Sequence, residues 1–244
     1  MLSELTKRRR AATIVEVVDI MTTLDRELPD SDGLWWFNRL YLRVTLAVRD
    51  AVTTTTFRDP AFLERLDVVF ANLYFDAVAA GDAHPQAAPS AWRPLFECRN
   101  QRGILPIQFA LAGMNAHINR DLPEGIVATY LATDGAPVPS GARYDDFRKV
   151  NDLLEDVEAQ IKVEFSTGIV AVVDAAGGEA DDAVAMWKVR AAREAAWTNA
   201  EVLWALRAAP ALRAAFFSRL DSFTGFAGRG LLLPREPRKD RRML

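Results

Sequence analysis

His117 and Asp121 stand four residues apart, a spacing that puts an imidazole and a carboxylate on one face of a helix. Imidazole is the side chain whose ordinary pKa lies close to neutrality. A carboxylate one turn away can orient the ring and stabilise the imidazolium, which is the arrangement of a general acid–base pair. The two residues belong to the run from Pro106 to Pro123. It opens almost wholly apolar and ends with Asn115, His117, Asn119 and Asp121 at alternate positions. Buried polar groups left unpaired cost roughly 1–3 kcal/mol each, so a ligand or other side chains must meet these four. A core histidine satisfied by its carboxylate accounts for the spacing equally well. Capping of the next helix competes for Asp121, which lies just before Leu122-Pro123.

Other chemistries fare worse. His-x-x-x-Asp is a fair metal-ligand spacing, but the chain has two histidines and one cysteine, and His84 sits in a Pro-rich loop. A metal would need carboxylates such as Asp76. The Glu-x-x-His pairs of di-iron carboxylate bundles are missing, because Met114 and Gly81 occupy the positions three before the histidines. Cys98 carries no recognisable nucleophile motif and is read as a buried thiol. There is no Gly-x-Ser-x-Gly elbow, no phosphate loop and no dinucleotide turn. Asn151-Asp152-Leu153-Leu154-Glu155 echoes half of a terpene-cyclase magnesium motif, but Ala159 stands at its third position and Asp145-Asp146 is followed by Lys149. No cofactor is expected. A divalent metal on His117, Asp121 and Asp76 stays open.

Helical periodicity supplies the elements that must hold these groups. Helices are expected from about Ser3 to Leu28, from Leu34 to the Thr53–Thr56 run, and from Asp59-Pro60 to Gly81. A short helix follows around Trp92 to Asn100, then the central helix from Gln108 to Asp121, restarted at Pro123 through Leu131. Gly135 to Gly141 reads as a linker. Beyond it come helices from Arg143 to Thr167, from Ala180 to Ala208 and from Pro210 to about Phe223. Only Ile169 to Val173 looks strand-like. The expectation is an all-α, single-domain bundle of about eight helices over 1–233, with a basic mobile tail at 234–244. On the third helix Phe62, Leu66, Val69 and Leu73 define a stripe that continues to Asp76, with Asn72 close by. Asn151 falls on the stripe of Tyr144, Phe147 and Leu154, and Arg193 on that of Met186, Val189 and Ala200. Asp76, His117, Asp121, Asn151 and Arg193 are therefore expected to converge, with Arg193 neutralising a carboxylate. Gly113, one turn before His117, suggests close approach of a backbone or a ligand.

With 244 residues, half of them hydrophobic, the chain can bury a substantial core. A net charge of −3 gives no global attraction to nucleic acid or anionic membrane. The basic clusters at Lys7–Arg10 and Arg235–Arg242 lack interleaved aromatics and read as solvated termini. Neither a secretory signal nor a membrane span is read. A cytoplasmic protein that engages neither nucleic acid nor membrane is expected, of unknown oligomeric state.

The run Phe109 to Pro123, and within it Asn115-Ala116-His117-Ile118-Asn119-Arg120-Asp121-Leu122, resembles the signature of an uncharacterised bacterial family, domain of unknown function 5995. Trp92–Phe96, Tyr144–Leu154 with Asp146 and Asn151, and Arg193–Trp197 fit the same resemblance. It implies a mostly helical single domain and carries no activity, cofactor or catalytic residue. The His-x-x-x-Asp element is also similar to that of helical zinc phosphodiesterases, whose other histidines this chain lacks.

The expected function is acid–base chemistry, of hydrolase or cyclase type, on a small, largely apolar molecule inside the bundle. His117 would be acid or base and Asp121 its partner, with Asp76, Asn115, Asn119, Asn151 and Arg193 giving polar contacts. Trp35, Trp36, Phe70, Tyr74, Trp187, Trp197 and Trp204 are the aromatic residues available to line a pocket. A non-catalytic ligand-binding or scaffold protein and a metal-dependent hydrolase are the alternatives.

Overall fold

A computed structural model describes residue 6 and residues 10–53, 57–154 and 189–234. Among these, the regular elements are helical and none is a strand. The architecture is an all-α multi-helix bundle, as the periodicity requires. The apolar run Ile169–Val173, the segment around Ala180, Trp187 and the basic tail lie outside the described residues.

Helix α1 (Ile14–Glu27) starts at a reciprocal cap. Thr13 Oγ1 accepts from the Glu16 N–H (3.2 Å), and the Glu16 carboxylate reaches back to the Ala12 N–H (2.6 Å). That cap leaves residues 10–13 non-helical, so the helix expected from Ser3 is broken there: Thr6 is helical, and α1 starts afresh at Ile14. Helix α2 (Gly33–Val52) is capped by Asp32, and α3 (Pro60–Gly81) by Asp59 with proline in its first turn, as the sequence suggested. A short α4 (Arg93–Cys98) follows. Helix α5 (Pro106–Ala116), a single π-helical turn (His117–Asp121) and α6 (Leu122–Leu131) form one uninterrupted rod where two helices were expected. Gly135 and Gly141, both with positive φ, bracket the linker. After it, residues 142–154 form α7 up to the edge of the described segment. Helix α8 (Val189–Ala205) and α9 (Pro210–Leu231) are the last helices among the described residues.

The central rod is wrapped by the others. Helices α2 and α9 pack on α5, α3 and α8 pack on α6, and α1 lies across α2 and α3. Helices α2 and α5 run parallel and exchange side chains in register. A Cβ on Gly33 would collide with the Phe109 ring, and one on Gly113 with the Phe37 ring. One turn further, Tyr41 meets His117. Each helix thus offers a glycine where its partner offers an aromatic ring, and the third layer of this ladder is the site. The object that approaches Gly113 is neither a backbone nor a ligand but the ring of Phe37.

Helix α9 outruns the expected end at Phe223 because Gly225 is a packing residue, not a terminator. A Cβ there would strike the Ser90 carbonyl. One turn earlier, the Asp221 carboxylate accepts from the N–H groups of Ser90 (2.9 Å) and Ala91 (3.0 Å). No helix among the described residues is long and apolar enough to cross a membrane.

The Gly–Phe exchange sets a stability test. Gly113→Ala gains about 1 kcal/mol of helix propensity but overpacks against a ring buried to 1 % exposure. A net loss of about 1–3 kcal/mol is expected in urea unfolding, partly recovered by adding Phe37→Leu. A neutral or stabilising Gly113→Ala would contradict the register.

Candidate active site

The π-helical turn carries the histidine. The Leu122 N–H reaches back to the His117 carbonyl, one residue further than in an α-helix. This wider turn sits directly before Pro123, whose missing N–H and bulky ring would break a regular ladder at the Asn119 carbonyl. His117 and Asp121 still share a face, and His117 Nδ1 lies 3.0 Å from Asp121 Oδ2.

Asp121 is wholly buried. Its carboxylate also accepts from Trp92 Nε1 (2.9 Å) and Arg120 Nη1 (2.6 Å), so it is fully engaged and does not cap α6. A carboxylate surrounded by donors places the proton of a neutral imidazole on Nδ1, leaving a lone pair on Nε2. His117 Nε2 is buried and has no hydrogen-bond partner.

Aromatic rings enclose the imidazole. Phe70 stacks on it at 3.5 Å between centroids with planes 6° apart, and Tyr41 lies edge-on at 4.5 Å. Phe37, Trp92 and Tyr74 complete the enclosure at 5.8–6.1 Å. Burial lowers the His117 pKa from its ordinary value, against the pull of Asp121 and with a minor push from Arg120. The histidine is thus held neutral near pH 7.

A second polar group stands on α7 and α8. Arg193 donates through Nε to Asn151 Oδ1 (2.7 Å) and through Nη2 to the Phe147 carbonyl (2.9 Å), and it lies over the Phe147 ring. Burial brings its pKa down to about 10, opposed by Glu194 and Asp67. Helix α7 is anchored by Asp146, which accepts from the N–H groups of Arg58 and Asp59 at the start of α3.

The expected single cluster is therefore not what forms. His117 and Asp121 meet, and Asn151 meets Arg193. Asp76 does not join them: it is exposed and pairs loosely with Arg10 across 3.9 Å. Helix α3 is apolar on so many sides that periodicity could not choose its inner face, and the stripe through Val69 and Leu73 follows the rim. The true inner face carries Asp67, Phe70 and Tyr74. Arg193 consequently neutralises neither Asp76 nor Asp121; the aspartate that acts on it is Asp67. Asn115 and Asn119 also point away. Asn119 Nδ2 donates to Asn115 Oδ1 (3.1 Å), and Asn115 Nδ2 to the Thr224 carbonyl (2.9 Å), tying the rod to α9. Asn72 grips the backbone of Ala11 through both ends of its amide. Among the described residues no group of three or more His, Cys, Asp or Glu could hold a metal, so His117, Asp121 and Asp76 do not form a ligand set.

Sequence reasoning missed Tyr41 and Asp67. Asp67 is half-buried, but its Oδ2 is shut from solvent without a partner, as are Tyr41 Oη and Asn151 Nδ2. Burial raises the Asp67 pKa to about 7, with Arg193 opposing and Glu64 assisting. Burial likewise drives the Tyr41 phenol well above its usual range, helped by Asp67 and Asp121 and eased by Thr45.

These shifts have opposite signs in stability. An unfolded histidine binds its proton near pH 6.5, whereas folded His117 resists until lower pH, so its contribution is lost as pH falls below about 6.5. Folded Asp67 keeps its proton up to about 7 while the unfolded residue releases it near 4, so stability from this group falls as pH rises between them. Urea unfolding from about pH 5 to 8 should therefore show His117→Asn losing less stability than the parent on acidification. Asp67→Asn should improve relative to the parent on going alkaline. Parallel curves for all three proteins would contradict both assignments.

Comparison with known proteins adds one finding. The chain matches no curated protein and no solved structure. The profile of one family, described as a family of unknown function (DUF5995), matches residues 14–234. That span runs from the first residue of α1 past the end of α9 and takes in every side chain of the site, so the chain belongs to the DUF5995 family.

Proposed function

We propose that this protein is a cytoplasmic enzyme that applies acid–base chemistry to a small, largely apolar molecule, with His117 as the proton-transfer group. The observation that carries this is the state of the imidazole. Nδ1 is fixed on a buried carboxylate, while Nε2 has a lone pair and no partner. Such an atom is poised to take a proton from a reacting group. The imidazolium formed would be stabilised by Asp121 and by the ring face of Phe70. Tyr41, whose ring lies beside the imidazole, would stabilise a developing anion through its hydroxyl. Proton removal and return serve hydrolysis and cyclisation alike, and the scheme needs no cofactor.

A second reading is favoured by the five rings around the imidazole: a non-catalytic bundle in which His117–Asp121–Trp92 locks α4 to the central rod. The two accounts separate on His117→Asn, whose amide can still donate to Asp121 but offers nothing at the Nε2 position. The full chain is incubated with a panel of apolar esters, lactones and olefinic alcohols, and products are followed by mass spectrometry. Catalysis predicts turnover reduced by about 10²–10⁴ in a variant that still unfolds cooperatively. Unchanged turnover, or a panel untouched by the parent together with a stability loss of about 2–5 kcal/mol in the variant, supports the lock.

A further inference from the structure

At the two ends of the polar interior the hydrogen bonds are closed. Asp121 is occupied by Trp92, His117 and Arg120, and the Arg193 guanidinium by Asn151 and the Phe147 carbonyl. Between these ends are polar atoms that meet nothing: Tyr41 Oη, Asp67 Oδ2, Asn151 Nδ2 and His117 Nε2. Tyr41, Asn151 and His117 are each more than nine-tenths buried. Tyr41 lies edge-on to the His117 ring. Asp67 precedes by one turn the Phe70 that stacks on that ring, and its carboxylate acts on both Tyr41 and Arg193. The Tyr41, Asp67 and His117 atoms therefore share one neighbourhood reached from α2, α3 and the π-helical turn, and Asn151 of α7 adjoins it through Arg193. Four such atoms left dry would offset much of the net stability of an ordinary domain, a cost that a guest meeting them would remove.

The chemistry of the four atoms restricts that guest. His117 Nε2 accepts, Asn151 Nδ2 donates, and the Tyr41 hydroxyl and the Asp67 carboxyl, with its pKa at about 7, do either. A group that satisfies them must both donate and accept. Anions are disfavoured, because the burial that pushes the Asp67 carboxyl toward its neutral form penalises any negative charge there, and two Arg193 nitrogens already serve protein acceptors. Ammonium groups would face the Arg193 charge. A hydroxyl or a primary amide remains, with its apolar remainder against the rings of Phe70 and Tyr74.

We propose that Tyr41, Asp67 and Asn151 form a subsite that seats the polar end of the ligand, an uncharged hydroxyl or amide on an apolar body. This deepens the reading of His117 as the reacting group and rests on it only for the reaction, not for binding. Benzyl alcohol, benzamide, toluene and benzoate serve as probes for the full chain, with binding followed by ligand-observed NMR and calorimetry. The alcohol and the amide are expected to bind about tenfold more tightly than toluene or benzoate, the worth of one well-made hydrogen bond. Tyr41→Phe should keep the melting temperature, since the lost hydroxyl makes no well-formed hydrogen bond, and should erase most of that preference. Asp67→Asn should weaken it as well. Equal binding of toluene and benzyl alcohol, preference for benzoate, no binding of any probe, or a Tyr41→Phe variant that melts lower with its preference intact would each overturn the subsite. Turnover that needs His117 without any hydroxyl preference would sink the subsite alone. Tyr41-dependent alcohol binding with turnover indifferent to His117 would sink the acid–base reading alone.

Discussion

A carboxylate without solvent must be surrounded by donors, and that requirement at Asp121 organises the centre of this molecule. The penalty for an ionised group in the interior is several kcal/mol unless hydrogen bonds enclose it. Here the enclosing groups come from separate parts of the chain. Trp92 arrives at the threshold of α4, while His117 and Arg120 come from the π-helical turn itself. Arg120 also faces Asp221 of α9 at 3.5 Å, and Asp221 in turn fixes the backbone that leads to Trp92. The interactions close a circuit through α4, the central rod and α9. The orientation of the imidazole follows from this electrostatic closure.

Around that circuit the interior is mostly aromatic, with two proton-carrying groups displaced toward neutrality from opposite sides. Burial moves His117 down from its ordinary range and moves Asp67 up to about 7. The common cause is the penalty on charge in a dry environment, which favours neutral imidazole and neutral carboxyl alike. One neighbourhood thereby holds a base with a lone pair and an acid with a proton near pH 7. Pairs of titratable groups pushed apart from their usual roles in this way are characteristic of acid–base sites.

Most of the helices could be read from the chain, because Asp59-Pro60 announces one start and apolar spacing gives the extents, although that spacing also carries the first helix back to Ser3, past the Thr13 cap. Asp121, His117, Asn151 and Arg193 were legible as inward-facing polar residues on otherwise apolar faces. Three features were not. Asn115 and Asn119 alternate with His117 and Asp121, but positions two apart on a helix point to nearly opposite sides. The four therefore divide into one pair toward α9 and one toward α2 and α3. Asp67 was hidden by its own helix, where apolar residues on almost every side erase the periodic signal and shifted attention to Asp76. The π-helical turn leaves no periodic mark in so short a stretch, although Pro123 directly after it is a physical reason for one.

The parallel course of α2 and α5 has a consequence for how the chain acquires its site. Parallel neighbours cannot be joined by a tight turn, so all of α3 and α4 is threaded between Tyr41 and His117 before the two rings meet. Contacts of such long sequence separation are entropically late, since a large loop must close before they stabilise anything. The ring enclosure around the imidazole thus depends on contacts that are slow to close, made by segments that have no site individually. Its integrity reports on the completed bundle, and no excised hairpin or helix pair would reproduce it.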